Sequence, residues 1–341
     1  KFIGKAITRI EDKRLVQGAG RFVDNFGENG DLYCVAHRSK KAHAKILRID
    51  ISKAIKVAGV HDIITGDVAK EYWSPISPTM DLLDLKLPRR YALATEKVVF
   101  FGEPVALVVA DNPYTAEDAA SLIRVEYEEL PVNVKAEDSI DAENNAVLYE
   151  NWKNNVQVDY NFSHGDLQNA FAESDLIIEE EILSHRYGAM PLETRVVRAN
   201  YDSADESLIV QTSSQVPHQT RLYLAKVFGI KESKIQVIAG DVGGGFGSKL
   251  SVDAEFMPVL ASVKIGRPVR WFESRSEWIH AGFGARDYKT KSKGAFSRDG
   301  KLIALETDII ADMGCDGAER ACGLGMPLNG GNFAPGPYKC E

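Results

Sequence analysis

Cysteine is scarce in this chain of 341 residues: Cys34, Cys315, Cys322 and Cys340 are scattered, with no Cys-x-x-Cys pair and no His-x-x-x-His partner. That scarcity excludes an iron–sulfur cluster or structural zinc held by this chain alone, and it fits a reducing compartment better than a secreted disulfide scaffold. An excess of positive charge is also missing. Lys and Arg number 41 against 49 Asp and Glu, a net charge of −8, so nucleic acid and anionic membrane are not expected partners. The densest cationic run, Lys289-Thr-Lys-Ser-Lys293, alternates with period two and reads as the solvated face of a strand. There is no apolar run long enough to cross a bilayer and no signal-peptide core, so a soluble, cytoplasmic chain is expected.

What is present is ordinary for a globular protein: 44% hydrophobic and 26% charged residues. The length suggests two domains at about 150 residues each. The pattern supports a mixed α/β fold in two parts. In the first, Leu32–His37, Ala44–Ile51 and Gly59–Thr65 read as strands, with a helical candidate near Ser52–Val57. A long loop is expected from Trp73 to Arg90. Val98–Ala110 then reads as a buried strand, Thr115 as the cap of a helix reaching Ile123, and Val125–Pro131 as another strand. Residues 132–155 lack periodicity and are assigned to a linker. In the second part, Ser207–Gln215 supplies a strand and Pro217 opens a helix that stops at Gly229. Arg267–Phe272 and Leu302–Ala311 are further strands, the second behind an Arg298-Asp-Gly-Lys301 hairpin signal.

One stretch carries more chemical information than the rest. Gly243-Gly244-Gly245-Phe246-Gly247-Ser248-Lys249 lies between a strand-like run, Ile235–Gly240, and a helix-like run, Leu250–Ile265. Glycines at such a junction let backbone N–H groups approach a ligand, and a helix N-terminus behind them would favour negative charge. The phosphate-loop pattern fails because Ser248, not Gly, precedes Lys249. The dinucleotide pattern fails because Ser248 occupies its last glycine position. A nucleotide-binding dehydrogenase is thereby disfavoured. A tight turn required only for helix–strand packing stays open as an alternative.

Five motifs in order resemble the molybdopterin-binding large subunits of the xanthine dehydrogenase and aldehyde oxidase family, which includes the carbon monoxide dehydrogenase large subunits. Ile3–Gly18 with Gly20-Arg-Phe-Val-Asp24, and Phe101-Gly-Glu-Pro-Val-Ala106 with Tyr114–Ala120, resemble its α/β hammerhead domain. Pro191-Leu-Glu-Thr194, Gln215-Val-Pro-His218 and the glycine loop resemble its first molybdenum-cofactor-binding domain. The resemblance implies a hammerhead domain over 1–131, a linker over 132–155 and an incomplete cofactor domain over 156–341. It implies molybdopterin as cofactor, shared with a C-terminal half or subunit, and FAD and 2Fe-2S clusters on partner subunits. The small-molecule substrate would be an aldehyde, an N-heterocycle or a CO-type molecule. Carried over position by position, Gly244, Gly245, Phe246 and Gly247 would contact the cofactor, although Phe246 could instead be a core anchor.

The departures from the family pattern limit this reading. Relatives carry a Gln near the molybdenum site; the sequence before Pro191 offers Ser184-His185-Arg186-Tyr187, where His185 is either a substitute donor or an ordinary structural histidine. Leu250 stands where some purine-oxidising relatives have Glu, which weakens a xanthine assignment. The family's base-like Glu lies beyond Glu341, so no catalytic residue and no metal ligand is assigned here, and the chain alone is expected to be inactive. Cys340 is expected to be a surface or interface thiol. The functional alternative is a non-catalytic assembly protein that keeps the fold without the cofactor.

Overall fold

The computed structural model describes residues 2–76, 85, 86, 88, 90–140, 146–282, 284, 285, 287–315 and 325–338. Most of the Trp73–Arg90 loop, together with Cys322 and Cys340, lies outside them. At the ends of that loop, the Ile76 N–H donates to the Arg90 carbonyl at 2.9 Å.

A seven-stranded sheet organises the chain, and it draws strands from both parts. Its order is Ile235–Ile238, Ser207–Thr212, Val196–Asp202, Val269–Phe272, Leu32–Arg38, Pro104–Ala110 and Val60–Thr65. The join is a parallel pairing of Leu32 with Val269 and Tyr33 with Arg270. Pro104–Ala110 is buried at all seven positions, as its unbroken apolar run requires of a strand covered on both faces. One face carries Leu107 and Val109 into a core with Leu208, Leu224, Phe256, Leu260 and Trp271. The opposite face carries Ala106, Val108 and Ala110 against Ala116, Ala119 and Ala120 of the helix Pro113–Leu122.

Local chemistry places most boundaries and moves a few of them. The helix Pro217–Phe228 begins with proline and ends at Gly229, whose φ of 68° suits a residue without Cβ. The helix expected to be capped by Thr115 starts earlier: Pro113 is its first residue, and the Asn112 side chain accepts from the Thr115 N–H. Asn112 is therefore the cap, because its side chain reaches an N–H that has no partner within the helix. The helical candidate at Ser52–Val57 is a single 3₁₀ turn, Ala54–Lys56. Residues 132–155 contain a short helix, Ala136–Ile140, and also reach across the fold. The Leu148 carbonyl accepts from Lys97 Nζ, and the Tyr149 hydroxyl donates to the Cys315 carbonyl.

The Lys289–Lys293 run lies in the strand Tyr288–Phe296, between Leu302–Ala311 and Leu176–Ser184. Its cations oppose acidic residues, with Lys291 facing Glu181 and Lys293 facing Glu179. The acidic strand explains the alternation: opposite charges across a pair add to sheet pairing.

Candidate functional site

Three markers distant in sequence converge at the end of the strand Ile235–Ile238. Glu193 and Gln215 lie beneath the glycine loop, and each offers one side-chain oxygen to two groups. Glu193 Oε2 accepts from the Gly243 N–H at 2.7 Å and from Lys249 Nζ at 2.7 Å, so one oxygen ties the first and last residues of the loop together. Gln215 Oε1 accepts from the N–H groups of Gly247 and Lys249, both at 3.2 Å. Backbone bonds reinforce the arrangement: Glu193 N–H donates to the Gly243 carbonyl, and Gln215 N–H donates to the Lys249 carbonyl.

The consequence lies in what remains uncommitted. Among the described residues, no acceptor faces the N–H groups of Gly244, Gly245 or Phe246. The loop cannot easily be built otherwise. Gly244 has φ 97°, and a Cβ at Gly245 would collide with Gln215. Phe246 holds φ 52° without being glycine, and its side chain is 78% exposed, so it is no core anchor in this chain. A residue held in this region costs about 1–3 kcal/mol, which the pinned loop around it must offset.

Behind the loop is a buried polar cluster. Lys249 is 1% exposed, and burial lowers its pKa against the opposing pull of Glu193. Arg195 is pulled down by burial, but the Glu273 carboxylate that chelates it outweighs this and raises its pKa. Its guanidinium also lies over the rings of Trp271 and Trp278, at 5.9 and 5.5 Å from their centroids. Ser248 folds its hydroxyl back to the Gly245 carbonyl. Charges buried in this way are costly unless paired, so each pair fixes a geometry as well as joining two groups.

One expectation changes at this site. The helix after the loop is Asp253–Ile265, four residues beyond Lys249 rather than starting at Leu250, and acidic residues fill its first turn. Leu250, Ser251 and Val252 separate it from the glycine loop, and the uncommitted donors are the loop's own N–H groups. His185 is exposed between the strands Leu176–Ser184 and Tyr187–Gly188. Neighbouring Tyr187 and Met190 line an open cleft of 2470 Å³ together with Phe246, Gly247 and Leu250, whereas His185 is not part of that lining. The residues that sequence reasoning left without roles are Glu193, Gln215 and Lys249. Each was the charged or amide residue inside a marker motif, and that was the available signal.

The mixed sheet, with a glycine loop carried at the end of one strand, defines a mixed α/β protein. The chain belongs to the xanthine dehydrogenase and aldehyde oxidase family. Residues 148–341 match the Molybdopterin cofactor-binding domain, and residues 17–131 match the Aldehyde oxidase and xanthine dehydrogenase, a/b hammerhead domain. It is 33% identical over 313 residues to the nicotine 6-hydroxylase large subunit of Paenarthrobacter nicotinovorans, covering 92% of this chain and 38% of that protein. It is 35% identical over 322 residues to the carbon monoxide dehydrogenase large chain of Afipia carboxidovorans, covering 90% and 39% respectively. Among solved structures, quinoline 2-oxidoreductase from Pseudomonas putida 86 superposes with a TM-score of 0.85 at 35% identity, over 91% of this chain and 39% of that one. The chain thus spans about two fifths of the length of these relatives.

Proposed function

We propose that this chain forms one wall of the molybdopterin site of a molybdenum hydroxylase, acting on an aldehyde, an N-heterocycle or a CO-type substrate. The observation that carries this reading is the set of three free N–H groups, Gly244 to Phe246, on a loop fixed from below by Glu193 and Gln215. The residues fit the group. Bare backbone that a Cβ would obstruct, lined with preorganised donors, suits an oxygen-rich anionic ligand. When bound, the cofactor supplies the two-electron redox chemistry of hydroxylation.

The chain's own residues have positional roles. The N–H groups of Gly244, Gly245 and Phe246 donate to the cofactor's acceptor atoms, and Gly247 lets the backbone turn beside them. Gln215 supplies the side-chain donor that the family resemblance requires near the metal. With Oε1 held by two N–H groups, its Nε2 is fixed in orientation. Leu250 in the cleft lining offers a substrate apolar contact where a carboxylate would bind a purine. Further walls, the base and the FAD and iron–sulfur centres belong to other segments or subunits of the assembled enzyme.

Gly245→Ala tests this reading. Its methyl group meets the Gln215 side chain and not backbone, so the fold should persist by circular dichroism while the molybdenum content of the assembled enzyme drops at least severalfold. Full occupancy in a folded variant would contradict the loop's role.

A further inference from the structure

Residues 2–21, ahead of the first sheet strand, include no buried residue. Their helix is Asp12–Val16, and Phe2, Ile3, Ile7, Ile10 and Val16 are all exposed. Such an arm adds little to the core, yet it makes a dense set of polar contacts at one place. Arg14 donates from both terminal nitrogens to both oxygens of Asp241, at 2.5 Å each. The Arg21 N–H donates to Asp241 Oδ2 at 2.7 Å, and the Asp241 N–H donates back to the Arg21 carbonyl at 2.9 Å. Gly240 lies directly under that carbonyl, where a Cβ would collide. Asp241 is two residues ahead of Gly243.

We propose that the amino-terminal arm is a positioning device for the glycine loop, with Arg14 and Asp241 as its positioning residues. This rests on the reading of that loop as a cofactor wall. The geometry sets the division of labour. Glu193 and Gln215 hold the loop at Gly243, Gly247 and Lys249, but they do not touch the backbone that delivers it from the strand Ile235–Ile238. The clasp fixes that delivery point, so the three free N–H groups gain a defined origin as well as a defined floor. A two-pronged guanidinium–carboxylate pair is directional in a way a single ammonium contact is not. The hydrogen bond from Arg14, joined by the Arg21 N–H, pushes the Asp241 pKa down to about 2, which keeps the carboxylate ionised at neutral pH.

Hydrogen exchange on the complete enzyme complex tests the clasp, with the wild type compared to Arg14→Ala, Asp241→Asn and Arg14→Lys. Amides of a peptide covering 240–249 should exchange about fivefold faster in the first two variants, the scale of an ion pair partly in solvent. Arg14→Lys should fall between them and the wild type, while the strand Ser207–Thr212 keeps its rate. The molybdenum(V) electron paramagnetic resonance signal should shift in step with loop exchange. Loop rates equal to the wild type in both variants would overturn the inference, as would a uniform acceleration of every peptide. A wild-type complex with neither molybdenum nor pterin would instead overturn the cofactor reading, leaving the exchange rates to judge the clasp.

Discussion

Phe246 holds a left-handed backbone at φ 52° with its ring 78% exposed, so it contributes strain to the fold and little packing. Phe246→Gly should therefore leave the thermal midpoint unchanged or raise it, by the equivalent of up to about 1 kcal/mol. A drop of several degrees would show that the ring anchors a core after all. Glu255 presents a different residue-scale signature. Burial pushes its pKa up to about 7 from an ordinary 4.5, although the Thr212 hydroxyl donates to it and Arg195 lies nearby. The folded state holds this proton more tightly than the unfolded chain. The resulting stability is present below about pH 4.5 and drains away as pH rises through 7. Glu255→Gln should remove this dependence. Denaturant midpoints at pH 5 and pH 8 should diverge between wild type and variant by up to about 3 kcal/mol, and parallel pH profiles would contradict the assignment.

At the scale of elements, the strand Leu176–Ser184 stands at the edge of its sheet with apolar side chains open on both faces. Ile178 and Ile182 are exposed on one face, and Ile177 and Leu183 on the other. Uncovered edges of this kind template association between chains. The isolated chain should self-associate, and Ile178→Lys with Ile182→Lys should shift it toward monomer in size-exclusion chromatography with light scattering. A wild-type chain that is monodisperse at high concentration would show that the edge is already satisfied. The elements themselves were legible wherever a local rule acts. The proline start and glycine stop of Pro217–Phe228 and the continuous apolar run of Pro104–Ala110 follow from steric and burial constraints visible in a few residues. Asn112 outcompeted Thr115 as a cap because Pro113 set the first turn, a choice decided by a single side-chain hydrogen bond.

At the scale of the molecule, periodicity could not show that one sheet runs through both parts of the chain. The parallel pairing of Leu32 with Val269 joins residues far apart in sequence, and nothing local to either strand encodes it. The same holds for the site. The glycine loop was legible because glycine clustering is a local signal, and its neighbours identified the family. That Glu193 and Gln215 serve as the loop's floor was not legible, since the contact exists only after the strands Val196–Asp202, Ser207–Thr212 and Ile235–Ile238 pair side by side. Gln215 in particular meets the loop only in the folded chain, through the N–H of Gly247.

The most direct test of the central claim is to quantify molybdenum and pterin in the native complex purified with every chain that accompanies this one. The account predicts about one molybdenum and one pterin for each copy of this chain, as expected where a built loop binds one cofactor. A pure, complete complex containing neither would contradict it and identify the chain as a scaffold that retains the fold without the cofactor.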